Sequence, residues 1–316
     1  MLHIETDRVP SARELKSLEA VGSPIQKPFE SNVLRIVAFS DYRVQDICLL
    51  VDFIKGLQPR PNLILYAGDD VERFHSEKGN FFEQLAMLAT HGLCAVLGND
   101  PPERKYEIHE RVSKIPDPTT GQPRILRLMI PKGPIPNTKT LRRSIRGTHV
   151  YNVHERPLVL GEYAVIGNEG APLDEEFGEM GAVIYSEQSI ARHLQLAANR
   201  VQGKSLIVLS HCPPRGVLDR AIRYGKRHIG SNALRRFLEK RKTVPLVVSG
   251  HVHSCGAQAK KCKHSIVVNA ASHDNVGAPG RVALIELRGR DVVSVQWHWL
   301  WELTSVAGIK VHALLA

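Results

Sequence analysis

Apolar runs and amphipathic segments alternate along the first third of the chain. Residues 33–39 (VLRIVAF) form an apolar run rich in β-branched side chains, which is typical of a buried strand. Residues 44–57 place apolar side chains at positions 44, 47, 50, 51, 54 and 57, the spacing of an amphipathic helix. NLILYAG predicts a second strand, FFEQLAMLAT a second helix and LCAVLG a third strand. This order predicts a layered α/β fold whose first strands pair in parallel.

The same alternation returns after residue 157. Residues 205–211 (SLIVLSH) predict another strand. Helices are predicted at 186–200 and at 230–241, where Ser231 stands in the position of an N-cap. Four later apolar runs follow one another with no room for a helix between them, so we expect them to pair antiparallel. These runs are PLVVSGHVH, SIVVNAA, RVALIEL and VVSVQWHWL.

The pattern of predicted strands and helices divides the chain into an extension and one large domain. Residues 1–30 have weak periodicity and end in structure-breaking residues, which predicts an N-terminal extension. Residues 31–316 are long enough for one large α/β domain. Residues of about 102–157 interrupt the pattern and carry six prolines between 116 and 136, so they predict a basic, proline-rich insertion or cap.

Composition narrows the class of protein without identifying it. The 316 residues are 43% hydrophobic and 23% charged, which is ordinary for a globular domain. No apolar run approaches the roughly 20 residues of a membrane helix, and the first 20 residues lack the apolar core of a signal peptide. We therefore expect a cytoplasmic protein with no membrane partner, in which the five scattered cysteines are reduced thiols.

Positive charge is concentrated in two stretches. The chain carries a formal charge of +10, and residues 118–154 contain seven Lys or Arg and no acid. Residues 220–242 contain nine Lys or Arg and one acid. Such stretches attract polyanions, although basic side chains spread over several solvated faces would give the same count. Nucleic acid is therefore a candidate partner, bound through its backbone because aromatic residues for base stacking are scarce in these stretches.

Polar side chains follow five of the predicted strands, where each apolar run ends. One Asp after a strand is usually a turn residue, but the carboxyl ends of strands in an α/β sheet form its ligand crevice. Five successive strand ends that each deliver Asp, Asn or His predict a site for a divalent metal. The residues are Asp41, Asp69, Asp70, Asn99, Asp100, His211, His251 and His253.

The order of these motifs resembles that of the calcineurin-like metallophosphoesterases. That family has D-x-H, G-D, G-N-H, a lone H and G-H-x-H, and this chain has DYR, AGDD, LGND, SHCPP and SGHVH. SHCPPRGVLDR, HIGSNAL and VVNAAS further resemble a branch of predicted cytosolic phosphoesterases, and the likeness runs from about residue 33 to 290. The resemblance implies an α/β fold, a four-layer αββα sandwich of two mixed β-sheets flanked by helices.

The resemblance also implies two metal sites that share Asp69. The second site would comprise Asp69, Asn99, His211 and His251, and the first site Asp41, Asp69 and His253. A further histidine of the first site is replaced by Arg43, which stays protonated and has no lone pair to donate. Asp100 replaces the histidine that the family associates with the leaving group, so Arg43 and Asp100 become the candidate catalytic residues.

Alternatives to this arrangement remain open in the sequence. His75 or His273 is a candidate to replace the missing ligand, although each is in the position of an ordinary loop histidine. Arg73, four residues after Asp69, resembles a phosphate-binding arginine of some family members. Together with Arg142 and Arg143 of the first basic stretch, it is a candidate substrate-binding residue.

The implied function is metal-dependent hydrolysis of a phosphate ester. A phosphodiester of a nucleic acid or nucleotide is the expected substrate, with a phosphomonoester as the alternative, and the attacking group is water that a divalent metal activates. Mn²⁺ is the expected cofactor, with Zn²⁺, Fe²⁺ or Mg²⁺ as alternatives, and one or two ions are expected with unequal occupancy. The alternative is a catalytically weakened or inactive member that acts in binding, regulation or nucleic-acid association, and a protein partner is left open.

Overall fold

The computed structural model describes residues 21–43, 45–76, 79–99, 106–112, 120–122, 125–131, 138–173, 183–222, 226–273, 275, 277–303 and 311–315. Its helices are α1 (Ile47–Gly56), α2 (Phe81–Ala86), α3 (Thr138–Arg142), α4 (Glu187–Arg200) and α5 (Asn232–Lys240), and 3₁₀ turns lie at Val71–Phe74 and His253–Cys255. Its strands are β1 (Ile25–Lys27), β2 (Leu34–Phe39), β3 (Leu63–Tyr66), β4 (His75–Ser76), β5 (Gly79–Asn80), β6 (Leu93–Ala95), β7 (Tyr106–Val112), β8 (Ile125–Pro131), β9 (Val150–Asn152), β10 (Leu158–Leu160), β11 (Tyr163–Asn168), β12 (Ala171–Pro172), β13 (Ile184–Tyr185), β14 (Ser205–Ser210), β15 (Arg220–Ala221), β16 (Arg227–His228), β17 (Leu246–Ser249), β18 (Gln258–Cys262), β19 (Ser265–Asn269), β20 (Gly280–Arg288), β21 (Asp291–Leu303) and β22 (Val311–Leu315).

Two seven-stranded sheets are the central feature of the fold. Sheet I has the order β1-β10-β11-β14-β17-β19-β18, and sheet II has the order β22-β21-β20-β2-β3-β6-β9. Parallel pairing joins β11, β14, β17 and β19 in sheet I, and β2, β3, β6 and β9 in sheet II. Antiparallel strands complete both sheets, so each of them is mixed.

Side-chain alternation along the strands builds the four layers. In β2, Leu34, Ile36 and Ala38 belong to a buried cluster of side chains from both sheets. Val37 and Phe39 belong to the cluster that also holds the apolar faces of the helices. Successive side chains of a strand point to opposite faces, so a strand covered on both faces must be apolar throughout. The predicted αββα sandwich of two mixed sheets is thereby confirmed.

Glu187 and Ser231 fix the start of α5. The Ser231 hydroxyl accepts a hydrogen bond from Leu234 N (3.1 Å), as expected for the predicted N-cap. The Glu187 carboxylate, from the first turn of α4, accepts hydrogen bonds from Asn232 N and Ala233 N (both 2.7 Å). The first turn of α5 is therefore satisfied jointly by its own cap and by the neighbouring helix. The helices predicted at 44–57, 81–90 and 186–200 are also present as α1, α2 and α4.

The late strands follow the expected pairing only in part. β20 and β21 pair antiparallel as predicted, but β17 and β19 pair in parallel, so that expectation was wrong for them. The 3₁₀ turn and β18 carry the chain back along the sheet, and β18 then forms an antiparallel hairpin with β19 at the edge of sheet I. A short edge strand can thus reverse the chain where a helix usually does so.

The predicted insertion and extension both contribute strands. Within 102–157, β7 and β8 form a separate antiparallel hairpin, whereas β9 joins sheet II beside β6. Residues 25–27, inside the predicted extension, form the strand of sheet I that pairs with β10. The domain boundaries stay a prediction. None of the described helices is both long and apolar enough to cross a bilayer, and a cytoplasmic location stays a prediction.

Replacing Ser231 by Ala is expected to lower the free energy of unfolding by about 1 kcal/mol, because the α5 cap is lost. Urea denaturation followed by circular dichroism measures the change. Arg236→Ala, at an exposed position of the same helix, is the matched control and should change stability by less than about 0.5 kcal/mol. Equal losses in the two variants would contradict a specific capping role.

Candidate metal centre

The candidate metal ligands converge from both sheets. Each follows a strand, at the carboxyl edge where the two sheets come together. Ser40 forms an isolated bridge with Ala271, which joins the end of β2 in sheet II to the chain following β19 in sheet I. Sheet II delivers Asp41, Asp69 and Asn99, whereas sheet I delivers His211, His251 and His253.

Asp41 is buried and held by hydrogen-bond donors on both carboxylate oxygens. Oδ2 accepts from Ser40 Oγ (2.7 Å) and His251 N (3.0 Å), and Oδ1 lies 3.0 Å from His253 Nε2. Burial by itself would raise the pKa of Asp41. The hydrogen bond and charge of His253, with the charges of His211 and Arg43, hold that pKa well below its usual range. Asp41 is therefore a carboxylate at neutral pH.

Asp41, Asp69 and His253 form a group of metal-ligand size. One ligand atom from each residue lies within 4.8 Å of the other two. Two carboxylates and one imidazole are a donor set that divalent transition metals bind. The residues predicted for the first site are thus brought together by the fold.

His211 connects this group to Asn99. Its Nε2 lies 2.8 Å from Asn99 Oδ1 and 3.4 Å from Asp69 Oδ1. Its Nδ1 lies 2.8 Å from the Ala67 carbonyl, which can only accept a hydrogen bond, so Nδ1 carries the proton in this contact. A backbone carbonyl on one ring nitrogen orients the other nitrogen for a metal.

His251, which the sequence predicts for the second site, lies next to His211. Its ring centroid lies 5.0 Å from that of His211, and burial, reinforced by the nearby His211, lowers the pKa of His251 to about 3. A neutral imidazole has a lone pair to donate, which metal binding requires. Asp69, Asn99 and His211 are buried, and His251 lies half-buried beside His211.

Two glycines allow the backbone to approach the carboxylates. A Cβ on Gly98 would lie 1.8 Å from Asp69 Oδ1, and a Cβ on Gly250 would lie 2.3 Å from Asp41 Oδ2. Asp41, Asp69 and His251 themselves adopt positive φ angles of 52°, 63° and 65°. Non-glycine residues in this region are uncommon and are concentrated at functional sites. The close glycines, the left-handed ligands and the donor types together fit a bound divalent ion.

Arg43 lies at the carboxylate that the two sites would share. Its Nη2 forms an ion pair with Asp69 Oδ2, and its Nε lies 2.9 Å from Asp70 Oδ2. Asp69 and Asp70 are both buried, whereas the Arg43 side chain is 23% exposed. The residue that replaces a family histidine thus directs its positive charge into the site.

The other candidates occupy different surroundings. Arg73 donates a hydrogen bond from Nη1 to the Tyr42 carbonyl (3.2 Å), one residue before Arg43. His75 contacts the Ser144 carbonyl, and His273 Nδ1 accepts from Asn275 N (3.2 Å). Neither histidine belongs to the Asp41–Asp69–His253 group. Asp100 lies outside the described residues.

Arg142 is engaged in a buried ion pair that the sequence did not reveal. Its Nε lies 3.0 Å from Glu169 Oε1, and Tyr185 donates a hydrogen bond to the same oxygen (2.6 Å). His154 Nδ1 accepts from Glu169 N (3.3 Å). Phosphate binding by Arg142 would compete with this network, whereas Arg143 is exposed. Both substrate-binding assignments stay predictions.

The sequence signal that identified the metal ligands, a polar residue directly after a buried strand, also applies to Glu169. It directly follows β11, a strand that is buried throughout and pairs with β14, the strand before His211. An acid at the end of a buried strand is therefore a candidate in this fold even when it lies outside every recognised motif. In this case the acid pairs with Arg142 and attaches α3 to the carboxyl end of β11 in sheet I.

Stability of the metal-free protein is expected to fall as the pH drops from about 7 to 5. Burial, the neighbouring His193 and Arg142 lower the pKa of His154 well below 6.5, and the pKa of His251 is about 3. Below pH 6.5 the unfolded chain therefore binds protons that the folded protein does not. Each such histidine contributes a slope of up to about 1.4 kcal/mol per pH unit, which is lost below its folded-state pKa.

The variant His154→Gln should make this slope shallower by roughly one proton, because one buried neutral imidazole is removed. Urea denaturation in the presence of a chelator, repeated across the pH range, measures the slope. The variant His264→Gln, at an exposed hairpin turn, controls for loss of a histidine as such. Identical slopes for His154→Gln and the wild type would contradict the neutral state of His154.

This chain is similar to known proteins in sequence and in fold. A model of the calcineurin-like phosphoesterases (Metallophos) matches residues 34–255. The crystal structure of TT1561 from Thermus thermophilus is similar with a TM-score of 0.50 and 18% identity, over 84% of this chain and 98% of that one. Another solved structure has a TM-score of 0.55 and 15% identity over the same shares of the two chains. No curated protein matches the sequence. At these identities, the solved structures support the fold alone.

Proposed function

Since the chain belongs to the calcineurin-like phosphoesterase family, we propose that it hydrolyses a phosphodiester of a nucleic acid or nucleotide with a divalent metal. Membership supports metal-dependent phosphoester hydrolysis in general. The observation that carries the proposal is that Asp41, His253 and His211 lie close to the carboxylate of Asp69, which the two proposed sites would share, while Asn99 contacts His211.

The donor atoms suit a borderline divalent ion. Asp69, Asn99, His211 and His251 would hold one ion with two oxygen and two nitrogen donors, a mixture that Mn²⁺, Zn²⁺ and Fe²⁺ accept. Asp41 and His253 would contribute only to a second, weakly held ion. The tightly held ion would polarise the phosphoryl group and lower the pKa of a water molecule. We propose Mn²⁺ as the working metal.

Two polar side chains of the chain would assist the hydrolysis. Arg43 places a permanent cation beside Asp69, where its planar guanidinium can neutralise charge on the phosphoryl oxygens. Asp100, at the position of the family's leaving-group histidine, is proposed to protonate the leaving oxygen. A carboxyl group does this at neutral pH only where its surroundings raise its pKa.

A basic hairpin beside the site supports a polyanionic substrate. The Ser254 hydroxyl donates a hydrogen bond to the Arg220 carbonyl (3.0 Å), which attaches the β15–β16 hairpin to the 3₁₀ turn of His253. Arg220 and Lys226 of this hairpin are exposed. Their charge would attract the phosphates that flank a scissile phosphodiester. This stretch, rather than the occupied Arg142, is the better supported of the two basic regions.

Bis-p-nitrophenyl phosphate with Mn²⁺ provides the test of hydrolysis. The wild type should release p-nitrophenol, and His251→Ala should lower kcat/KM by at least about 100-fold, because a metal ligand is lost. His264→Ala, an exposed histidine outside the site, should retain wild-type activity. Chelation should abolish turnover, and added Mn²⁺ should restore it.

A binding or regulatory role is the second candidate, favoured by the replacement of two family histidines by Arg43 and Asp100. In that case no divalent metal among Mn²⁺, Zn²⁺, Fe²⁺ and Mg²⁺ supports turnover, and His251→Ala behaves as the wild type. Nucleic-acid binding without hydrolysis would instead give an affinity that falls steeply with salt and persists in His251→Ala.

A further inference from the structure

We propose that Asp70 holds the guanidinium of Arg43 in the place of a first-site metal, so that each chain binds one tight divalent ion instead of two. Asp70 is the new element, because the family motif requires only the preceding Asp69. The inference deepens the proposed function, since it concerns the same site. The number of tightly bound ions and the position of the Arg43 side chain can both be measured without turnover.

The contacts of Arg43 are those of a clamped cation. Two nitrogens of one guanidinium lie close to two different carboxylates: Nη2 donates a hydrogen bond to Asp69, and Nε lies 2.9 Å from Asp70 Oδ2 in an ion-pair contact without hydrogen-bond geometry. The guanidinium is planar and rigid, so a hydrogen bond on one nitrogen and an ion pair on another restrain its position. Asp69 and Asp70 follow β3 with φ angles of 63° and 52°, and this local conformation brings both carboxylates to one arginine.

Charge balance explains why a cation is needed at this point. Asp41, Asp69 and Asp70 are buried and at most 3% exposed. Buried carboxylates are tolerated when they are paired and hydrogen-bonded. In a two-metal site the second ion would supply that positive charge, whereas in this protein Arg43 supplies part of it permanently. A dication entering beside Arg43 would meet both a repelling charge and an Asp69 oxygen that is already paired.

Asp70 keeps the guanidinium of Arg43 at the place of the first-site metal. The Arg43 side chain is 23% exposed, so a single ion pair with Asp69 would let the guanidinium turn towards solvent. The second ion-pair contact, with Asp70, restrains that movement. Asp70 is therefore a positioning residue, and its effect on metal binding should depend on the presence of Arg43.

Metal stoichiometry of the full-length protein tests the count. After equilibrium dialysis against Mn²⁺, elemental analysis should give one tightly bound ion per wild-type chain and two per Arg43→His chain. Electron paramagnetic resonance should show a spin-coupled Mn²⁺ pair in Arg43→His and an uncoupled ion in the wild type and in Arg43→Lys. Two tight, coupled ions in the wild type would overturn the proposal, as would a single ion in Arg43→His.

The role of Asp70 is tested by the Arg43 Nη resonances in ¹⁵N NMR spectra, assigned by their absence in Arg43→Lys. A guanidinium held between two carboxylates rotates slowly about its Cζ–N bonds, so the wild type should show a split Nη signal that Asp70→Asn loses. Asp52→Asn, at an exposed position of α1, is the matched control and should keep the signal. Retention of the signal in Asp70→Asn would overturn the positioning role.

Combining the substitutions separates positioning from metal ligation. In the Arg43→His background, Asp70→Asn should change the affinity for the second Mn²⁺ by less than about threefold, because Asp70 then has no arginine to hold. A loss of tenfold or more there would make Asp70 a metal ligand and overturn the proposal. If these counts hold while bis-p-nitrophenyl phosphate is not cleaved, the hydrolytic function fails and this inference stands.

Discussion

Burial of the Asp41 and Asp69 carboxylates at the edge shared by the two sheets is the constraint on which the site depends. An uncompensated carboxylate in a protein interior is strongly unfavourable, so the chain must bring donors and cations to it. Asp41 receives backbone, hydroxyl and imidazole contacts, and Asp69 receives Arg43 and approaches His211. The left-handed φ angles and the close glycines follow from the same need, since they let the backbone come within reach of the carboxylates.

The strand-end residues could be predicted because two local signals coincide. An apolar run gives the strand, and its last residue gives the edge at which the next polar side chain must lie. Parallel strands then place these ends together whatever their separation in sequence. Asp41, Asp69 and Asn99 follow parallel strands of sheet II and are brought together for this reason, whereas His211 approaches them from sheet I. The αββα layering was predictable because strands buried on both faces require it.

What escaped prediction depends on contacts between distant segments. The pairing of Arg142 with Glu169 joins residues of two different segments, and no period or motif connects them. The parallel pairing of β17 with β19 depends on a hairpin that reverses the chain between them. The orientation of Arg43 towards Asp69 and Asp70 is likewise a property of side-chain packing. A sequence can identify the arginine as an anomaly, but only the fold supplies its partners.

The origin of the ligands in separate sheets has a mechanical consequence. Apolar contact between two sheets resists separation but has little directional preference, so it opposes sliding weakly. Asp69 and Asn99 belong to sheet II, whereas His211 and His251 belong to sheet I. An ion bound by all four residues would act as a cross-link between the sheets, as a disulfide does between two strands. The relative register of the sheets at this edge would then be set by directional coordination bonds, together with backbone hydrogen bonds between the sheets such as those of Ser40 and Gly170.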